Sequence, residues 1–122
     1  DVKSAAKVSG SRFGYLKNEG ALLEFALIQL ALEVLTKEGF IPIVPPALIN
    51  KEITQGLGYW EGKGSTDYYS VSDPDEKKEM YLIGTAEHSI VPIHKDEVLN
   101  KKDLPKRYVG FSSSFRRSPF LF

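Results

Sequence analysis

The sequence predicts an α+β fold with an antiparallel sheet. A long apolar helix comes early in the chain, and several short strand-like runs follow it. The runs at 68–71 and 80–83 are separated by a polar turn at 72–77, which is typical of an antiparallel strand pair. One helix followed by strands that do not alternate with further long helices favours α+β over a parallel sheet.

The composition is that of a single globular domain over residues 1–122. Hydrophobic residues make up 42% and charged residues 26% of the chain, which argues against disorder. The chain has no cysteine, so it forms no disulfides or thiolate metal sites. No signal peptide and no apolar run long enough for a bilayer are visible, so we expect no membrane partner. The first residue is Asp1, so we expect a piece or a processed form of a longer protein.

The net charge is zero, but basic residues are concentrated near the end of the chain. Between 101 and 122 there are six lysines and arginines and a single acidic residue, Asp103. Such a region could contact phosphates. Charge alone favours the simpler interpretation of a solvated basic rim.

The clearest predicted element is a helix from Glu19 to Lys37. Its apolar residues follow helical spacing, with Asn18 as the N-cap and Gly39 as the left-handed residue after the end. The apolar arc is wider than the stripe of an ordinary surface helix. We therefore expect it to pack on its own sheet and also against a second subunit or a missing domain.

The other segments are expected to be short. Residues 1–18 are predicted to be an extended lead-in with a strand or hairpin arm at 8–16. The remaining expectations are an edge strand with prolines at 40–46, a short helix at 47–56, a loop at 59–67, a short helix at 87–94 and a strand at 108–115.

A small polar cluster follows the strand that ends near Gly84. Thr85 and Glu87 can accept hydrogen bonds from an ammonium group, and Arg116 lies after another strand-like run. Acceptors and a cation on neighbouring strands point to a ligand with both charges, such as a free amino acid. If Arg116 and Arg117 alternate along a strand, only one faces the site, and we assign Arg117 to structure or solvent. Taken alone, Glu87 could simply be a favourable charge at a helix start.

Four segments in chain order resemble class II aminoacyl-tRNA synthetases, and in particular the seryl members. They are Gly39–Pro46, similar to motif 1; Leu82–Glu87, similar to the seryl Thr-Ala-Glu loop; Asp103–Tyr108, similar to the approach to motif 2; and Phe115–Arg117, similar to its start. The resemblance covers about residues 4–117. It implies part of the class II catalytic fold, with a long motif 1 helix before the antiparallel sheet.

The resemblance implies a role for each matching residue. Thr85, Ala86 and Glu87 would bind serine. Arg116 would be catalytic, binding both the serine carboxylate and the α-phosphate of ATP. For motif 1 it implies a homodimer interface that includes Gly39, Phe40 and Pro46. No metal site is predicted, since His88 and His94 are not at metal-ligand spacing.

The implied reaction is that of the longer parent protein. It would activate serine with ATP, in complex with Mg²⁺, to seryl-adenylate and then transfer serine to tRNA(Ser). The parent would be a cytoplasmic homodimer.

The sequence departs from the family's pattern at its end. Ser118 stands where the family has a glutamate that helps to recognise adenine, and 117–122 is an atypical tail without the later motifs. We therefore expect the isolated chain to be inactive or very weak. Two alternatives stay open: a non-catalytic synthetase-like paralog acting as a dimerisation or binding module, and another class II synthetase of prolyl or threonyl type. The Thr-Ala-Glu sequence favours serine.

Overall fold

The computed structural model describes residues 1–58, 68–72 and 78–117. The predicted loop at 59–67, most of the polar turn at 72–77 and all of the tail except Arg117 lie outside the described residues. Internal contacts divide the chain into two compact units, residues 1–39 and 40–122. The assignment of 1–122 to one domain stays a prediction.

The described part of the chain contains one long helix, several short helices and five short strands. The helices are α1 (Val2–Val8), α2 (Glu19–Lys37), α3 (Lys51–Gly56) and α4 (Glu87–Ile90), with 3₁₀ helices at Val91–His94 and Lys101–Asp103; the strands are β1 (Ile41–Ile43), β2 (Leu48–Asn50), β3 (Ser70–Ser72), β4 (Glu79–Leu82) and β5 (Tyr108–Gly110). None of the helices in these described ranges is long and apolar enough to cross a membrane.

The first unit begins with a helix where an extended lead-in was expected. In α1 the Asp1 carboxylate accepts a hydrogen bond from the backbone N–H of Ser4 at 3.0 Å, which caps the first turn. Ala5 is the buried residue of this helix. The prediction of a strand at 8–16 is also wrong, because the part of this segment that follows α1 forms turns and irregular structure.

The predicted long helix is confirmed as α2, and Gly39 has the left-handed φ of 82° expected just after its end. Asn18 occupies the N-cap position, but its side chain makes no capping hydrogen bond within the described residues. Its φ of 49° departs from the extended conformation that normally directs a capping side chain back to the helix. The helix instead starts on the bond from the Leu22 N–H to the Asn18 carbonyl at 3.0 Å.

No residue of α2 is buried. More than half of the surface is exposed for six of its large apolar side chains: Leu22, Leu23, Phe25, Leu27, Leu30 and Val34. Contiguous exposed apolar surface of this kind is typical of a helix that forms an interface.

The second unit contains an antiparallel sheet in the order β2–β4–β3. The expected pair at 68–71 and 80–83 is confirmed as β3 and β4, with Val71 opposite Met80. The buried core consists of Ile49 from β2, Tyr81 from β4 and Ile83 just after β4. Residues 47–56 were expected to form only a helix, but Ile49 pairs with Tyr81 in the sheet before α3 begins.

A second pairing in this unit is parallel and was not predicted. Strands β1 and β5 align with Pro42 opposite Val109. The Ile41 N–H donates to the Arg107 carbonyl at 2.9 Å, so the ladder bonds use residues on either side of Pro42, which has no N–H to offer. The proline is therefore compatible with this strand, as expected for one at an edge.

The strand expected at 108–115 is shorter than predicted. Regular pairing ends at Gly110, and the Phe111 N–H makes a 3.3 Å bond to the Ile43 carbonyl. Residues 111–117 then run without regular secondary structure. The helix expected at 87–94 is confirmed, as α4 continued by the 3₁₀ turn at Val91–His94.

Candidate active site

The polar loop at 84–87 follows β4 directly. Ile83 is completely buried, and its N–H donates to the Ala47 carbonyl at 2.9 Å, which fixes the point from which the loop departs. Thr85 is half-buried, and Glu87 is exposed at the first position of α4. As the sequence indicated, a buried strand ends in a small group of polar side chains.

Two local hydrogen bonds fold this loop on itself. The Thr85 hydroxyl oxygen accepts from the Glu87 N–H at 3.4 Å, and the Thr85 carbonyl accepts from the His88 N–H at 3.1 Å. A hydroxyl has one donor and two acceptor positions, so Thr85 keeps hydrogen-bonding capacity for a ligand. With the exposed carboxylate of Glu87, the loop can accept hydrogen bonds from an ammonium group.

The segment that carries Arg116 runs beside this loop. The Phe115 N–H donates to the Ile83 carbonyl at 2.8 Å. The Phe115 carbonyl oxygen lies 3.8 Å from the point that a Cβ on Gly84 would occupy. Arg116, the next residue, is exposed, and its charge acts on His88 in α4. The structure thus brings the predicted cation to the same region as the predicted acceptors.

The neighbouring arginine has different surroundings. The guanidinium carbon of Arg117 lies 6.0 Å from the centroid of the Tyr69 ring, within the range of a cation–π contact. Tyr69 directly precedes β3, whereas the charge of Arg116 acts on His88 in α4. The two arginines therefore have separate environments, and the assignment of Arg116 alone to the site stays a prediction.

His88 is a site residue that sequence reasoning considered only as a metal ligand. It is 4% exposed, and its Nδ1 accepts a hydrogen bond from the Gly84 N–H at 3.2 Å. Burial lowers the pKa of His88 below 6.5; the negative charge of Glu87 opposes this change, and the positive charge of Arg116 adds to it. The feature of the sequence that could have indicated this contact is the position of the histidine, four residues after the glycine of a loop whose N–H groups need acceptors.

Close packing against β5 holds the loop from the other side. A Cβ on Gly110 would lie 2.2 Å from Cδ1 of Ile90 and 3.4 Å from Cβ of Ala86. An alanine at 110 would therefore require the end of the Ile90 side chain to move. The Ala86 methyl points toward this contact, so a larger side chain there would push the loop and β5 apart.

The two histidines of the chain are both engaged in local contacts. His94 contacts the Glu97 carboxylate through Nδ1 at 2.6 Å and the Tyr108 hydroxyl through Nε2 at 2.7 Å. Over 1–58, 68–72 and 78–117, no three His, Cys, Asp or Glu side chains are grouped closely enough to hold a metal ion.

Comparison with known proteins shows what this arrangement resembles. Residues 69–119, which include the loop and Arg116, match the family model of the class II core domain of the tRNA synthetases (G, H, P, S and T). The serine–tRNA ligase of Acidothermus cellulolyticus is 47% identical over 117 residues, which are 96% of this chain and 27% of that protein. Over 96% of its length the chain is therefore similar to part of a serine–tRNA ligase. The serine–tRNA ligase of Thermococcus onnurineus is 44% identical over 96% of the chain and 24% of its own length.

Solved structures of seryl-tRNA synthetases have the same fold. The enzyme of Pyrococcus horikoshii, complexed with ATP, superposes with a TM-score of 0.81 at 43% identity, over 96% of this chain and 25% of that one. The cytoplasmic serine–tRNA ligase of Naegleria fowleri, in complex with AMP, also gives 0.81, at 28% identity over 95% and 26% of the two chains. The α+β class and the antiparallel sheet expected from the seryl-tRNA synthetase resemblance are confirmed.

The chain spans about a quarter of the length of the seryl-tRNA synthetases that it matches. Of its motif 1 residues, Gly39 follows α2 and Phe40 precedes β1. Pro46 is exposed, and its carbonyl accepts a 2.7 Å hydrogen bond from the Ser89 hydroxyl in α4. Their part in a dimer interface stays a prediction.

Proposed function

We propose that the protein containing this chain is a serine–tRNA ligase. A serine carboxylate oxygen attacks the α-phosphorus of ATP, the bond to the β-phosphate breaks, and pyrophosphate leaves. A hydroxyl of the terminal adenosine of tRNA(Ser) then attacks the acyl carbon, and AMP is released. Residues 1–122 contribute part of the catalytic domain that performs the first step.

One observation carries this proposal. The 2.8 Å hydrogen bond from Phe115 to Ile83 brings the segment of Arg116 beside the loop that contains Thr85 and Glu87. An amino acid has an ammonium and a carboxylate on one carbon, so its site needs acceptors and a cation close together. The similarity to serine–tRNA ligases supports serine as the amino acid.

Each site residue then has a proposed role. Thr85 and Glu87 hold the serine ammonium, and Ala86 keeps the loop against β5 with its small side chain. The guanidinium of Arg116 binds the serine carboxylate and the α-phosphate of ATP, and so reduces the repulsion between two anions that must meet. These groups act by positioning and by electrostatic stabilisation.

The proposal includes ATP as a substrate. It is supported by the similarity to seryl-tRNA synthetases solved with ATP and with AMP, and by the exposure of Arg116 beside the loop. The described residues provide no carboxylate cluster for Mg²⁺. Mg²⁺ is proposed to accompany ATP and to neutralise its phosphates.

The parent protein is further proposed to be a cytoplasmic homodimer. The exposed apolar residues of α2 support a dimer, together with the motif 1 positions Gly39, Phe40 and Pro46. A cytoplasmic location is supported by the similarity to the cytoplasmic ligase of Naegleria fowleri.

Serine-dependent exchange of pyrophosphate into ATP tests the activity of the complete protein. We expect exchange with serine and none above background with threonine or proline, which separates this function from the prolyl and threonyl alternatives. A complete protein that folds and dimerises without exchange would be the non-catalytic paralog. Residues 1–122 alone should show little exchange, because they contain only part of the ATP and serine sites.

A further inference from the structure

His88 combines deep burial with a hydrogen bond that only one of its protonation states can make. The ring is 4% exposed, and Nδ1 lies 3.2 Å from the backbone nitrogen of Gly84. Because an amide N–H can only donate, Nδ1 must accept. The imidazole is therefore neutral, with its proton on Nε2.

Gly84 is the residue at which the buried strand end turns into the polar loop. Its neighbour Ile83 is completely buried, and the Thr85 carbonyl accepts the His88 N–H at 3.1 Å. The His88 ring therefore accepts a hydrogen bond from Gly84, and the His88 backbone donates one to Thr85, so that His88 binds both ends of this two-residue segment. The Cε1 atom of the ring lies 3.4 Å from the point that a Cβ on Gly84 would occupy, so a glycine leaves the ring just enough room.

We propose that His88 is a positioning residue for serine: its neutral ring accepts the Gly84 N–H and holds Thr85 and Glu87 where they bind the serine ammonium. This inference rests on the proposed function, because it assumes that the loop binds serine. The ring itself acts through the loop and need not touch the ligand.

Protonation of the ring removes this support. A protonated Nδ1 would place its own N–H against the Gly84 N–H, so the hydrogen bond cannot form. The charged groups acting on the ring are Glu87, which favours protonation, and Arg116, which opposes it; burial is the largest influence and keeps the pKa of His88 below 6.5. The neutral form contributes stability that is complete above pH 6.5 and is lost as the pH falls through the lowered pKa.

Three variants of the complete protein separate positioning from general structure. His88→Asn keeps an acceptor close to the place of Nδ1 but cannot be protonated in this pH range. His88→Leu keeps the apolar bulk and removes the acceptor. His94→Leu is the matched control, because it removes the other histidine, whose partners are Glu97 and Tyr108.

The measurement is the KM for serine and, separately, for ATP in pyrophosphate exchange, from about pH 7.5 down to the pH at which the protein unfolds, because the pKa of His88 is lowered below 6.5. We expect His88→Leu to raise the KM for serine about tenfold with little change for ATP, since a buried N–H loses its acceptor. His88→Asn should recover most of this loss. The wild type and His94→Leu should lose serine affinity toward low pH, whereas His88→Asn should not.

The outcomes distinguish this inference from the function on which it rests. If Glu87→Gln raises the KM for serine but the wild type and His88→Asn have the same pH profile, His88 is not a positioning residue and the serine site stands. If Glu87→Gln has no effect on serine, the proposed serine site itself is wrong. Should His88→Leu fail to fold, the pH comparison of wild type with His88→Asn still decides the matter.

Discussion

The backbone N–H of Phe115 donates a 2.8 Å hydrogen bond to the carbonyl of Ile83. This bond joins two segments that are 32 residues apart and differ in charge: a loop with acceptors and a carboxylate after Ile83, and a pair of arginines after Phe115. The contact is made by backbone atoms. The side chains of Arg116 and Glu87 are both exposed and are not needed for it. The backbone brings them together, which leaves their side chains available for a ligand.

Glu87→Gln tests whether the loop binds an ammonium. The substitution keeps the shape of the side chain and removes its charge. The KM for serine in pyrophosphate exchange should therefore rise about 10- to 100-fold, which corresponds to the free energy of a hydrogen bond to a charged group. The KM for ATP should change little. Glu97→Gln is a suitable control, because Glu97 is an exposed carboxylate that contacts His94. An unchanged KM for serine would remove Glu87 from the site.

Arg116→Ala and Arg117→Ala compare two adjacent arginines of equal charge. Arg116→Ala should lower the rate of exchange about 100-fold or more, because it removes the cation on which two anions converge. Arg117→Ala should leave exchange close to that of the wild type, since this side chain lies over Tyr69. Equal losses in both variants would indicate a general effect of positive charge and would contradict the assigned role of Arg116.

The parts of this fold that were predictable from sequence are those determined by neighbouring residues. The apolar residues of α2 repeat with helical spacing, and Gly39, which follows its end, belongs to the same segment. The polar loop could be predicted from the order of Gly84, Thr85 and Glu87. The β3–β4 pair was predictable because only six residues separate the two strands in the sequence. In each case the deciding interactions are local.

The parts that were missed depend on contacts with distant residues. Strand β2 exists because Ile49 is buried opposite Tyr81, and β1 pairs with a strand more than 60 residues later in the chain. The contact of His88 with Gly84 was missed for a related reason. A single histidine forms no sequence pattern from which a contact could be predicted, and its hydrogen bond to Gly84 exists only when the loop is folded.

Gly110→Ala tests the packing that holds α4 against β5. The added methyl would lie 2.2 Å from Cδ1 of Ile90, so this side chain has to leave its rotamer, and we expect a loss of about 1 kcal/mol in the free energy of unfolding. Urea denaturation of the complete protein measures this loss. Gly56→Ala is the matched control, because a Cβ there meets nothing within 4 Å.

A second substitution should restore the Gly110→Ala variant. Ile90→Val removes the Cδ1 atom that the new methyl would strike, so the double variant should be more stable than Gly110→Ala alone. The KM for serine should follow the same order, because α4 begins with Glu87. Additive losses in the double variant would show that the contact between residues 90 and 110 does not limit the packing.

Leu30→Lys tests the proposed dimer surface on α2. Leu30 is 56% exposed among other exposed apolar side chains, so in a dimer its burial would be favourable and a lysine would have to be desolvated. We expect light scattering of the complete protein to show a dimer for the wild type and a shift toward monomer for Leu30→Lys. Gln29→Lys adds the same charge at the adjacent, polar position of the helix and should stay dimeric. A wild type that is monomeric at high concentration would rule out this surface as a dimer interface, whereas equal dissociation of both variants would show that the added charge, and not the loss of an apolar contact, is responsible.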